Sequence, residues 1–197
     1  MLKRLFDVIF SFLGLILLSP LLLLFALLIK LDSKGPVFYR GKRVGQFGRA
    51  FRIFKFRSMV IDAEKLGGPS TSADDPRLLK IGKFLRKHNL DELPELLNIL
   101  KGEMSFVGPR PDVLSEVETY PSEIREIILS IKPGLTDLAT LEDLHEGEIL
   151  RGSPDPHRTY QEIIKPKKLK LATEYVKKRS FWLDIKIILK TIKSALF

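Results

Sequence analysis

Between Val8 and Ile29 the chain reads VIFSFLGLILLSPLLLLFALLI, a run of Val, Ile, Leu and Phe without one charged residue. A helix of that length covers a hydrocarbon core about 30 Å thick, so the segment belongs in a membrane. It is too long for a cleaved signal peptide, and no small-residue cleavage site precedes the basic stretch that follows. Two features argue against a straight span. Pro20 removes an N–H, crowds the carbonyl of residue 16 and biases Ser19 away from helical geometry, so a break is expected at Ser19-Pro20. Positive charge also flanks both ends, Lys3 and Arg4 before the run and Lys30, Lys34, Arg40, Lys42 and Arg43 after it. A straight span would carry one cluster outward against the positive-inside preference, whereas a helix that enters, bends and returns keeps both in the cytosol. The bend exposes backbone groups that the Ser19 hydroxyl can partly satisfy. Residues 1–33 are therefore expected to form a re-entrant membrane helix-break-helix, and 34–197 a single cytosolic domain.

The chain has 197 residues, 45% hydrophobic and 29% charged, which suits one domain plus one membrane segment. Cysteine is absent, which excludes disulfides, thiolate metal sites and a Cys nucleophile. A net charge of +9 calls for an anionic partner: nucleic acid, a membrane surface or a phosphorylated substrate. From Lys34 to Arg57 eight Lys or Arg alternate with aromatic and β-branched residues and no acid, punctuated by glycines, the pattern of short strands in a hairpin. Such residues serve lipid headgroups or a phosphate site; the membrane anchor sets nucleic acid aside.

Gly67 to Pro76 reads as a polar loop, with Asp74 and Asp75 as turn residues before Pro76. From Arg77 to Leu90 an apolar stripe of Leu78, Leu79, Ile81, Phe84 and Leu85 opposes Lys80, Lys83 and Lys87, as in an amphipathic helix. Next come Asp91-Glu92-Leu93-Pro94-Glu95-Leu96-Leu97-Asn98-Ile99-Leu100-Lys101-Gly102. Its leucines share one helical face, Pro94 is tolerable only in a first turn and Gly102 is a C-terminal stop. Asp91 and Glu92 thus sit at a helix start. Acids there ordinarily complement the helix dipole. Alternatively, a helix start flanked by cations draws a phosphate beside an ionised carboxylate, and one metal ion reconciles the negative charges.

Ser105-Phe106-Val107-Gly108-Pro109-Arg110-Pro111 puts an arginine on a stiff platform, where a bidentate phosphate contact loses little entropy. Lys132-Pro133-Gly134-Leu135-Thr136 is a second stiff turn. His145 and His157 lack partners at metal-ligand spacing, and no P-loop, dinucleotide fingerprint or Ser-His-Asp order is present. Phe181 to Phe197 sets Lys186, Lys190 and Lys193 against Ile185, Ile188, Leu189, Ile192 and Leu196, with Trp182 near its start. Either an interfacial helix or one packed on the core has that pattern.

Taken together, Lys3-Arg4-Leu5-Phe6-Asp7, Ser19-Pro20, Gly35-Pro36-Val37-Phe38, Lys55-Phe56-Arg57-Ser58-Met59, Leu90-Asp91-Glu92-Leu93-Pro94, the Pro-Arg-Pro stretch and Lys132 to Thr136 resemble the small monotopic phosphoglycosyl transferases, the bacterial or undecaprenyl-phosphate sugar transferases. The resemblance implies an α+β, predominantly helical fold with a re-entrant helix, a short β-hairpin and a cytosolic catalytic domain carrying interfacial amphipathic helices, on the inner face of the bacterial cytoplasmic membrane. It implies a catalytic pair, Asp91 and Glu92, with Asp91 also binding Mg²⁺, and a phosphate site drawing on Lys55, Arg57, Arg86 and Arg110. The implied reaction takes a sugar-1-phosphate from a UDP-sugar through an aspartyl intermediate, releases UMP and delivers the phosphosugar to polyprenol phosphate. Asp137-Leu138 stand where the family commonly has Gly and Trp, and Glu142 to Lys170 depart from its pattern. The residues alone leave two rivals: a noncatalytic membrane-anchored basic module, and a metal-dependent phosphatase with water as acceptor. Neither the sugar nor the oligomeric state is written in them.

Overall fold

The first helix, α1, runs without interruption from Leu2 to Asp32 through Pro20 in this computed structural model, which describes residues 2–67, 71–141 and 149–196. The break expected at Ser19-Pro20 is not a gap in the helix. Pro20 leaves the Ile16 carbonyl without its usual i+4 donor, and the Ser19 hydroxyl donates to that same carbonyl at 2.7 Å, so the orphaned acceptor is satisfied locally. His145, Gly147 and Gly68-Pro69-Ser70 of the expected loops lie outside the described residues.

One stripe of α1 is buried along its length. Asp7, Ser11, Phe25 and Ile29 fall at helical spacing. Leu15 and Leu18 pack on Phe51, Ile53, Leu96, Ile99 and Met104, while Leu21, Leu22, Ala26 and Leu28 join Phe25 and Ile29 against Phe56 and Leu85. The opposite face exposes Leu5, Ile9, Phe12, Leu13, Ile16, Leu17, Leu23, Leu24 and Leu27. A contiguous apolar face of that extent suits lipid rather than water.

The first two turns of α1 bind the domain through polar groups. Lys3 Nζ donates to the Val107 carbonyl at 2.9 Å, the Tyr175 hydroxyl at 3.0 Å and Asp184 Oδ2 at 2.6 Å. Arg4 donates to the carbonyls of Ile99 at 2.7 Å and Leu100 at 2.9 Å. Asp7 Oδ1 accepts from Ser105 Oγ and from the Phe106 amide, both at 3.1 Å. Ile99 and Leu100 lie on one segment that leads from the candidate site and Ser105 to Val107 on one that leads to it, while Tyr175 and Asp184 belong to two C-terminal helices.

The basic stretch after α1 folds into two antiparallel ladders. β1 (Phe38–Tyr39) pairs with β4 (Lys55–Phe56), and β2 (Lys42–Val44) pairs with β3 (Ala50–Arg52) around a turn at Gln46–Gly48. Phe51 and Ile53 alternate with exposed Arg52 and bury toward α1. After a short α2 (Ala63–Leu66), α3 spans only Lys80–Lys87, less than the apolar stripe suggested. Residues 76–79 instead form a turn and a bridge between Leu78 and Met59.

A 3₁₀ turn at Leu90–Glu95 leads into α4 (Leu96–Lys101), which Gly102 ends in the left-handed region at φ 85°. β5 (Ser105–Val107) and β6 (Gly134–Thr136) pair in parallel. A Cβ on Gly134 would lie 2.1 Å from the Gly108 backbone nitrogen, so only glycine allows this approach beside the Pro-Arg-Pro loop. The remaining α-helices among the described residues are α5 (Leu114–Glu118), α6 (Ser122–Leu129), α7 (Leu138–Leu141), α8 (Pro156–Thr159), α9 (Lys165–Lys178) and α10 (Phe181–Leu196), with a π-helical turn at Tyr160–Ile164 joining α8 to α9. In α10 the buried Ile187 packs with Val107 and Tyr175, while Trp182, Leu189 and Ile192 face outward. It therefore packs on the core with one side and presents an apolar edge with the other.

Replacing Asp7 by Ala would strand the Phe106 amide and the Ser105 hydroxyl beneath α1. Stability should fall by about 1–3 kcal/mol, read as a lower thermal midpoint in detergent micelles.

Candidate active site

Three carboxylates and two cations converge where the 3₁₀ turn meets β4 and the Pro-Arg-Pro loop. The turn is set by Asn89, whose φ of 53° reverses the chain after α3. Three residues per turn then align Glu92 with Glu95, both buried. Lys55 arrives from β4, on the opposite side of the strand from Phe56, which is buried against Phe25. Arg110 follows β5, held between Pro109 and Pro111.

Glu92 is the hub. Lys55 Nζ donates to its Oε1 at 2.7 Å, and Arg110 donates through both terminal nitrogens, Nη1 to Oε2 at 3.1 Å and Nη2 to Oε1. Lys55 also stands 3.2 Å from Glu95 Oε1. That is an ion-pair distance without hydrogen-bond geometry, and Glu95 Oε1 has no hydrogen-bond partner among the described residues. Arg110 is the most open of these groups, its side chain 36% exposed, so the cluster meets solvent on that side. A narrow hollow beside it is lined by Asp112, Tyr120, Asp137 and Lys168.

The same burial acts differently on the three acids. In Glu92, burial pushes the carboxyl up, but the charges of Arg110 and Lys55 outweigh it and hold the group well below the usual carboxylate range. In Asp91, burial and the neighbouring Glu92 charge push the carboxyl up, partly opposed by Lys55, Arg86 and Arg110. In Glu95, burial pushes the carboxyl up to about 7 against the pull of Lys55. Glu92 is thus a fixed anion, and Glu95 is the acid poised to titrate near neutrality.

Of the residues that the resemblance implies, Asp91, Glu92, Lys55 and Arg110 come together, with Arg86 close enough to act on Asp91 by charge. Arg86 also feels Asp75, which lies buried and paired with Arg77 at 2.7 Å. Arg57 goes elsewhere: its guanidinium donates to the carbonyls of Ser33 and Lys34, each at 2.8 Å, and straps the exit of α1. Glu95 was missed because the segment was read with an α-helical period. The i,i+3 spacing from Glu92 was the available signal, since a 3₁₀ turn eclipses such pairs. Asp74 and Asp75 belong to the Arg77 turn rather than to this cluster.

No three His, Cys, Asp or Glu side chains gather as a ready-made metal cage among the described residues. Mg²⁺ does not need one, because it binds through one or two carboxylates plus substrate phosphates and water. Asp91 fits that pattern: its carboxylate receives no hydrogen bond from any described residue.

Because Glu95 ionises later in the folded chain than unfolded, the native state holds its proton longer as pH rises. Stability should therefore fall between about pH 4.5 and 7, by on the order of 3 kcal/mol, and level off above. Thermal midpoints across that range should show the slope in the parent chain and a flatter profile in Glu95→Gln.

The profile of the family described as bacterial sugar transferase matches residues 1–197. A UDP-glucose:undecaprenyl-phosphate glucose-1-phosphate transferase from Klebsiella pneumoniae is 41% identical over 192 residues, covering 96% of this chain and 39% of that protein. An undecaprenyl-phosphate glucose phosphotransferase from Komagataeibacter xylinus is 41% identical over 206 residues, covering 99% of this chain and 36% of its own length. The exopolysaccharide production protein ExoY of Sinorhizobium fredii is 37% identical over 205 residues, covering 96% of this chain and 83% of that protein. The chain thus spans well under half the length of the first two relatives and most of the third.

Proposed function

The chain belongs to the bacterial sugar transferase family, and on that premise we propose that it moves a sugar-1-phosphate from a UDP-sugar to polyprenol phosphate at the cytosolic face of the membrane. The observation that carries this reading is the gathering of Asp91, Glu92, Lys55 and Arg110 in one cluster, with Arg86 alongside. Relatives named for undecaprenyl-phosphate sugar transfer support the acceptor class.

In the first step the Asp91 carboxylate attacks the sugar-bearing phosphorus of the donor. A bond forms from Asp91 oxygen to phosphorus, the diphosphate P–O bond breaks, and UMP leaves with the electron pair. In the second step a phosphate oxygen of the polyprenol phosphate attacks the same phosphorus, and the Asp91 carboxylate leaves unchanged. Mg²⁺, held by Asp91 and the donor's phosphate oxygens, would neutralise charge between carboxylate and diphosphate. Arg110 and Lys55 face the transferring phosphoryl oxygens, where fixed cations stabilise charge in the transition state.

Glu92 is better suited to orienting cations than to accepting a proton. Its ion pairs hold it ionised, and a base so weak takes little from a phosphate. By gripping both guanidinium nitrogens it sets Arg110 in one orientation.

The re-entrant placement of α1 is part of the same proposal. The buried stripe of α1 touches the domain near both ends, which supports both termini of the helix lying on one side of the bilayer. The site then sits at headgroup depth, where a soluble donor and a lipid phosphate can both arrive.

Incubating the protein with UDP-sugars and Mg²⁺ and recording its intact mass tests the covalent step. The parent chain should gain a sugar-phosphate increment and release UMP. Asp91→Asn should gain none, with transfer reduced by more than about 10³-fold and membrane association unchanged. Full activity in Asp91→Asn would refute the assignment.

A further inference from the structure

The face of the hairpin turned away from the ion cluster has a graded composition. Phe56 meets Phe25 of α1 edge-on, with ring centroids 6.0 Å apart, and stacks on Phe38 at 5.6 Å. Phe38 in turn meets Phe54 at 6.2 Å. Two cations lie over the Phe54 ring: the Arg40 guanidinium carbon 3.3 Å from its centroid and Lys101 Nζ at 4.7 Å. One pair further along the hairpin, Lys42 stands directly opposite Arg52, both exposed. From the membrane helix outward the order is aliphatic, aromatic, then cationic.

These four cations form no ion pair with any acid among the described residues. That sets them apart from Lys3, Lys55, Arg77, Arg110 and Lys165, each matched to a carboxylate. Arg40 Nε is buried without a hydrogen-bond partner among the described residues. Like charges directly opposite in a ladder repel, so Lys42 and Arg52 weaken the hairpin unless an anion lies against them.

The order of residues matches the layering of a bilayer surface, with hydrocarbon innermost, an aromatic belt at the interface and basic residues at anionic headgroups. Stacked cations such as Arg40 and Lys101 keep their apolar stems against the ring and their charge outward. Lys101 also lies next to the α4 carbonyls gripped by Arg4, so this patch is at the level where α1 begins.

We propose that the Arg40, Lys42, Arg52 and Lys101 face is a docking surface for anionic phospholipid headgroups of the bilayer that holds α1. Docking there fixes the β2–β3 ladder, and with it Lys55 on β4, three residues beyond Arg52, at a set depth relative to the lipid surface. The inference rests on α1 being in the membrane and not on the reaction.

The chain has no cysteine, so Ala50→Cys gives a unique labelling position on the exposed end of the same ladder. The full chain, carrying a polarity-sensitive dye at that thiol, is reconstituted in vesicles of phosphatidylcholine with or without phosphatidylglycerol, each doped with a headgroup-borne quencher. The dye should be quenched more strongly when phosphatidylglycerol is present. That increment should fall by at least about threefold in the Lys42→Gln/Arg52→Gln/Lys101→Gln variant, since each basic side chain at an anionic surface is worth about fivefold in partitioning. The charge-conserving Lys42→Arg/Arg52→Lys/Lys101→Arg variant should keep it. All three positions are exposed, so the fold is expected to survive both sets. Equal quenching in the two kinds of vesicle, or an undiminished increment in the Gln variant, would overturn the proposal.

Discussion

The first two turns of α1 hold together the two segments from which the site is made. Arg4 grips the last carbonyls of α4, the helix that begins where the Asp91–Glu95 turn ends. Asp7 grips β5, the strand that ends three residues before Arg110. Lys3 adds the Val107 carbonyl and the buried Tyr175–Asp184 pair, which brings α9 and α10 to the same point. A side-chain carboxylate buried at the start of an apolar helix is costly unless fully bonded, so these contacts leave the helix few other places to lie. The long apolar helix is thus a structural member of the domain that carries the candidate site.

Within that frame, electrostatics separates three neighbouring acids by role. Lys55 and Arg110 bond to Glu92, the Asp91 carboxylate receives no hydrogen bond from a side chain among the described residues, and Glu95 is left with the weaker share of Lys55. In the proposed reaction a nucleophile needs an unencumbered oxygen and an orienting group saturated bonds, and Asp91 and Glu92 are the groups proposed for those two roles. Burial under charged rather than apolar side chains makes this arrangement tolerable and responsive to an arriving diphosphate, which would compete with Glu92 for the same guanidinium.

Much of this was legible in the sequence because it depends on local chemistry. The uncharged run, the flanking lysines and arginines, the glycine stop at Gly102 and the proline-fixed Arg110 each follow from one residue type at one position. What escaped the sequence depends on period or on distant pairing. The i,i+3 spacing puts Glu92 and Glu95 on one side of the turn, but only the tertiary fold brings Lys55 from β4 to both. Arg57 entered the expected phosphate site only through the family resemblance of the Lys55 to Met59 stretch. In a strand and its extension the Lys55 and Arg57 side chains share a face only until the ladder ends, and here the guanidinium turned to the backbone after α1. The helical continuity at Pro20 rests on one hydroxyl donating to one carbonyl, which the Ser-Pro pair suggested as compensation for a bend rather than as a means of avoiding a gap.

The proposed function requires α1 to lie against the domain that carries the candidate site while it sits in the membrane. A Cβ on Gly14 would sit 3.3 Å from the Leu96 side chain, and the chain offers no competing thiol. The direct measurement is therefore treatment of a Gly14→Cys/Leu96→Cys chain in native membrane vesicles with a short thiol cross-linker. Efficient intramolecular cross-linking is the predicted result. Thiols that fail to join, with the residue 14 thiol instead reacting from the far side of the bilayer, would contradict it.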